Sequence, residues 1–157
     1  MASKAESKFW SRILAGWKPN WQNRVEFGKG GTPGTPDVEL LLDGVIIPVE
    51  LKVGIYKCGL DSVKAYVRAE QILWHNRLWR AGGKSAFMVE INHPFLKCVV
   101  VPGFMAADLA AGGVDQFSGV REYNHTWLRT ALRCALWPDQ QRLTSDQQFA
   151  ALDFVAK

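Results

Sequence analysis

Asp37, Glu50 and Lys52 are the side chains in this sequence whose types and spacing can do chemistry together. They lie in PDVELLLDGVIIPVELKV, where two β-rich runs flank Asp43-Gly44, a dipeptide that favours the type I′ turn of a two-residue hairpin. If Leu42 opposes Val45, then Val38 faces Val49 and Leu40 faces Ile47, and one face of the hairpin is apolar and belongs to a core. The other face sets Asp37 opposite Glu50, Glu39 opposite Pro48 and Leu41 opposite Ile46, with Lys52 two residues beyond Glu50 on the same side. Opposed carboxylates on paired strands repel, so the pair predicts a cation between them, and Lys52 can soften the repulsion without bridging both. Two carboxylates suit a hard divalent cation that keeps some of its waters, polarises a phosphate and acidifies a bound water. Lys52 would then position that water or stabilise charge building on phosphorus.

The elements that must hold these residues follow from local pattern. A first helix is expected from about Ser3 to Gly16, because Trp10, Ile13, Leu14 and Trp17 recur at helical intervals and Ser3 and Glu6 have capping-box spacing. A short strand over Arg24 to Phe27 precedes GKGGTPGTP, a loop whose glycines and prolines forbid regular structure. After the hairpin, a loop containing Gly54 and Gly59 leads to a helix from about Ser62 to Arg80, stopped by Gly82-Gly83. Its inward stripe reads Val67, Gln71, Trp74, Leu78 and Ala81, with Gln71 the single polar member. Lys84 to Ile91 and Lys97 to Val101 read as strands, the latter buried on both faces, and helices are expected at Phe104 to Ala111, Thr126 to Trp137 and Ser145 to Val155. The fold class is α/β, one domain over 1–157 with a central mixed sheet of four or five strands flanked by helices. It divides into a basic amino-terminal part over 1–34, a core over 35–101 and a helical part over 102–157.

Composition bounds the function. At 157 residues, 48% hydrophobic and 22% charged, the chain can bury a single core without staples. No apolar run can span a bilayer and the amino terminus lacks the apolar core of a signal peptide, so the expectation is a cytoplasmic protein of a bacterium or a virus-infected cell, with no membrane partner. Cys58, Cys98 and Cys134 lack CxxC spacing and read as reduced, mostly buried thiols. His75, His93 and His125 are dispersed, which gives no support to histidine metal sites or serine hydrolase chemistry. GKGGTPG lacks the GK[ST] ending of a phosphate-binding loop and precedes a strand. Trp74 and Trp79 read as core. The net charge of +4 sits in residues 1–34, where Lys4, Lys8, Arg12, Lys18, Arg24 and Lys29 face only Glu6 and Glu26. With Phe9, Trp10, Trp17, Trp21 and Phe27 interleaved, this segment suits a phosphate backbone, Lys4, Lys8, Arg12, Arg24 and Lys29 being the candidate DNA contacts; the alternative is a solvated helix face with core aromatics.

Pro36-Asp37 followed by Glu50-Leu51-Lys52 resembles the PD-(D/E)XK nuclease superfamily, with its restriction-endonuclease-like core. GTPGTPD, the VELKV strand and EQILWHNRLWRAGG followed by SAFMVEI are similar to the VRR-NUC and Holliday-junction-resolvase branches, over residues 30–92. The resemblance implies Asp37, Glu50 and the Leu51 carbonyl as metal ligands, Lys52 as catalytic lysine, Gln71 aimed at the site, and Mg²⁺ as cofactor with Mn²⁺ as substitute. Resolvase-like members add a glutamate, for which Glu6, Glu26 and Glu39 are rivals, although the cap with Ser3 accounts for Glu6 equally well. The implied function is Mg²⁺-dependent endonucleolytic hydrolysis of branched or structured DNA, in recombination and in a phage setting, and cutting a four-way junction would need a homodimer. Trp127, Leu132, Leu136 and Trp137 could form its interface or the second layer of the core. The alternatives are a non-cleaving DNA- or protein-binding module on the same fold, and a sequence-specific restriction-like nuclease.

Overall fold

The computed structural model describes residues 4–17, 22–24, 33–59, 61–115 and 117–139. In chain order these form α1 (Lys4–Gly16), β1 (Gln22–Arg24), β2 (Val38–Leu42), β3 (Val45–Lys57), β4 (Ser62–Ala65), α2 (Ala69–Arg80), β5 (Ala86–Glu90) and β6 (Cys98–Pro102). A 3₁₀ turn at Gly103–Met105 leads into α3 (Ala106–Ala111), followed by β7 (Ser118–Val120) and α4 (His125–Leu136). The sheet runs β1-β2-β3-β5-β6-β7, with β3 and β5 parallel and the other neighbours antiparallel, and β4 pairs with the far end of β3.

This is the expected α/β architecture, a mixed sheet flanked by helices. It exceeds four or five strands because β1, β4 and β7 are too short for alternation to reveal. Phe9, Trp10 and Ile13 of α1 and Leu128, Leu132 and Leu136 of α4 pack with Val38, Leu40, Ile47, Val49, Leu51, Met88 and Val100 on one face. Phe87, Val89, Val99 and Val101 pack on the other with Val63, Ala65, Val67 and Leu109. Val99, Val100 and Val101 are thus buried on both faces, as the unbroken valine run predicts. Trp127 and Trp137 rest against the first core, so the α4 stripe forms a layer of this molecule's own interior.

The hairpin has the expected register, Val38 with Val49 through Leu42 with Val45. Asp43 and Gly44 both take positive φ, 51° and 82°, as a type I′ turn requires. The tip departs from the expected apolar face in that Val45 is 42% exposed.

The expected helix from Ser62 is corrected. Ser62–Ala65 is strand β4, antiparallel to Gly54–Lys57, and the helix starts at Ala69 after an extended Arg68 (φ −75°, ψ 153°). Val63, Ala65 and Val67 are buried at period two, a pattern the helical spacing from Val67 onward concealed. The loop expected after Lys52 is likewise β3 continuing to Lys57. Gly54 sits there because the chains approach closely: a Cβ would lie 2.6 Å from both the Lys64 carbonyl oxygen and Val89 Cγ1. The buried positions of α2 are Gln71 and His75; Trp74 and Leu78 are half-buried and Ala81 is exposed.

Cys98 is buried, Cys134 half-buried and Cys58 exposed, all as free thiols, so the expectation of mostly buried cysteines fails at Cys58. Of the strand expected at Arg24 to Phe27, only Arg24 is described, as the end of β1; 25–27, Ser3 and the expected helix at 145–155 lie outside the described residues. No helix among the described residues is long and apolar enough to cross a membrane.

Candidate active site

Alternation along β3 sends Leu51 into the first core and leaves Glu50 and Lys52 on the face that α2 covers. β2 is paired only from Val38 on, so Asp37 stands at the strand's start, where its Oδ2 accepts a hydrogen bond from the Leu51 amide at 3.1 Å. That bond fixes Asp37 beside the strand carrying Glu50. Gly34, with φ 90°, lets the preceding loop lie against the first turn of α2: a Cβ there would be 2.4 Å from the Glu70 carbonyl oxygen.

The four expected catalytic side chains converge and are buried: Glu50 is 1% exposed, Gln71 1%, Asp37 6% and Lys52 8%. Glu50 Oε1 accepts from Lys52 Nζ at 2.8 Å and from Gln71 Nε2. Gln71 Oε1 in turn accepts from the Arg68 amide at 3.0 Å, so one side chain both caps α2 and orients Glu50. Lys52 Nζ also lies 3.4 Å from Glu6 Oε1, which brings the first turn of α1 to the site. Glu6 is therefore the rival carboxylate placed against Lys52. Glu39 sits two residues from Asp37, across from Pro48, and Glu26 lies outside the described residues.

Glu50 Oε2 is buried and has no hydrogen-bond partner among the described residues. Burial, and then the charge of Asp37, push the Glu50 carboxyl up to about 7 against the pull of Lys52. Asp37 is raised too, chiefly by burial, despite the Leu51 amide. These are the energetics of two crowded carboxylates with less positive charge than they can accept. An orphaned, buried carboxylate oxygen beside a second hard oxygen donor fits a divalent cation of the Mg²⁺ type. Among the described residues no three His, Cys, Asp or Glu side chains form a metal cage. Asp37 and Glu50 are a pair, which suits an ion that retains waters.

His75, one turn after Gln71, is fully buried, its Nδ1 2.7 Å from Ser85 Oγ and its ring 4.4 Å from that of Phe87. Burial, and secondarily the charge of Lys52, lower its pKa to about 3. It is a helix histidine, and its place in the wall beside the site had no signal in its spacing. His125 accepts from Trp17 Nε1 at 3.1 Å and His93 from the Phe95 and Leu96 amides, both structural. Of the candidate DNA contacts, Lys4 and Lys8 are exposed on α1, whereas Arg12 is engaged by Glu90, with Nε 2.9 Å from Oε1. The Arg24 side chain and Lys29 lie outside the described residues. No protein-family model matches this chain, and no curated protein matches it in sequence.

Proposed function

We propose that this chain is a metal-dependent deoxyribonuclease that hydrolyses phosphodiester bonds at the Asp37–Glu50–Lys52 site. The observation that carries the reading is Glu50: its Oε1 is held by Lys52 and Gln71 while its buried Oε2 has no partner among the described residues, beside Asp37. Asp37 and Glu50 would hold Mg²⁺, or Mn²⁺ in its place, with the Leu51 carbonyl as the further ligand the resemblance implies. When bound, such an ion supplies polarisation of a phosphoryl oxygen and a water acidified toward neutrality. Lys52, held by Glu50 and Glu6, would donate a hydrogen bond to a phosphoryl oxygen or to the attacking water. Gln71 keeps Glu50 from turning, and the Leu51 amide does the same for Asp37.

The test is cleavage of labelled duplex, single-stranded and four-way-junction DNA with Mg²⁺, for wild type, Asp37→Ala and Lys52→Ala. Loss of roughly 10²-fold or more in rate in both variants, with binding retained, is the expected result. DNA bound but uncut with Mg²⁺ and with Mn²⁺ would replace this reading with the non-cleaving module. Junction resolution further requires a dimer, and a strictly monomeric native mass at assay concentration would remove that refinement.

A further inference from the structure

The end of β4 carries an aromatic side chain that the fold does not bury. Gly54 pairs with Ala65, so one further step in the same antiparallel register brings Tyr66, the residue after β4, abreast of Val53 at the site's end of β3, on the face that Leu51 shares and opposite that of Glu50 and Lys52. Alternation turns Val63, Ala65 and Val67 into the second core and leaves Lys64 and Tyr66 outward. Tyr66 is 79% exposed, more than any other large hydrophobic side chain among the described residues. Its backbone is nevertheless anchored at the site, because two residues on the Arg68 amide donates to Gln71, whose amide donates to Glu50.

The surroundings are cationic. Lys64 and Arg68 are exposed on either side of Tyr66, and the exposed carboxylates of the segment, Asp61 and Glu70, stand at its two ends. On the same face of the sheet, α1 is tied to Lys52 through Glu6 and bears the exposed Lys4 and Lys8. An aromatic face on an anchored strand amid cations complements a nucleic-acid strand whose base is free to stack, since every base offers a π-face and every phosphate a charge. Base pairs inside a duplex are already stacked and offer no such face.

Building on the DNA-facing reading of Asp37, Glu50 and Lys52, we infer that Tyr66, flanked by Lys64 and Arg68, is a stacking platform for an unpaired base of a DNA strand entering the site. The preferred substrate class is accordingly DNA with a single-stranded stretch beside the scissile bond.

The test uses the full chain in EDTA, which separates binding from cutting. The probes are a duplex with a single-stranded overhang carrying 2-aminopurine at the first unpaired position, and a fully paired duplex of equal length. Wild type should quench the overhang probe and bind it more tightly than the duplex. Tyr66→Ala should remove the quench and weaken overhang binding roughly tenfold, leaving duplex binding unchanged, whereas Tyr66→Trp should retain both. Equal quenching and affinity in a folded Tyr66→Ala, no preference for the overhang in wild type, or no binding of the overhang would each overturn the inference. Cleavage is scored separately with Mg²⁺: a stacked but uncut probe leaves the platform standing and fells the nuclease reading, and a cut probe indifferent to Tyr66 does the converse.

Discussion

Glu50 and His75 sit on facing elements of one buried region and respond to pH in opposite senses. The Glu50 carboxyl is raised to about 7, so the native state holds its proton more tightly than the unfolded chain and stability is lost as pH rises from about 4.5 through 7. Asp37→Asn removes the charge that aggravates this while keeping an acceptor for the Leu51 amide. It should raise stability by about 1 kcal/mol at pH 8, abolish Mg²⁺-dependent activity, and show no gain below pH 4.5, as read from urea midpoints across pH. His75 runs the other way: its pKa of about 3 lies below the unfolded value, so its contribution is present above pH 6.5 and lost as pH falls toward 3. His75→Leu is expected to cost about 1–2 kcal/mol at pH 7 through the lost Ser85 contact and to match wild type near pH 5. Neither shift was legible in the sequence, because desolvation depends on what packs above a residue and not on its neighbours in the chain.

The β2–β3 hairpin was legible, because turn type, register and facing are decided within eighteen residues by Asp43-Gly44 and strict alternation. The structure adds an anchor at its tip, where Asp43 accepts from Arg129 and Arg133 of α4, a contact across 86 and 90 residues that no local pattern encodes. These arginines hold the Asp43 carboxyl below its usual range, so its contribution is present above the unfolded pKa and lost as pH falls through the lowered one. Asp43→Asn preserves the positive-φ turn and should destabilise by no more than about 1 kcal/mol at pH 7, because the pair is partly solvated. In 1 M salt the difference should shrink, a comparison available to paired urea titrations. β4 was illegible for the opposite reason: four residues flanking a true helix give alternation no length in which to show. The approach of Glu6 to Lys52 is equally tertiary, joining α1 to β3.

At the scale of the molecule, a divalent ion that binds the native site but not the unfolded chain should stabilise the whole domain. At a concentration of Mg²⁺ about 100 times Kd, linkage gives roughly 2.7 kcal/mol, or a rise of about 5–10 °C in Tm for a chain of this size. The rise should be absent in Asp37→Ala, and no rise in wild type by calorimetry would count against a metal at this site whatever the cleavage assay reads. Fold class and the convergence of Asp37, Glu50 and Lys52 could be anticipated because they depend on locally patterned strands, while the exposed position of Tyr66 depends on β4 running back along β3, a tertiary pairing that no local pattern encodes. β3 itself pairs with β2 over its first part, β5 over its middle and β4 over its end. From Glu50 to Val53, β3 is therefore paired with β5 alone, and on its other side the Leu51 amide is held by the Asp37 side chain, so in hydrogen–deuterium exchange Leu51 should lose protection in Asp37→Ala while the amides bonded to β5 keep theirs. A variant weakened at Asp37 should accordingly open at this gap before the rest of the sheet does.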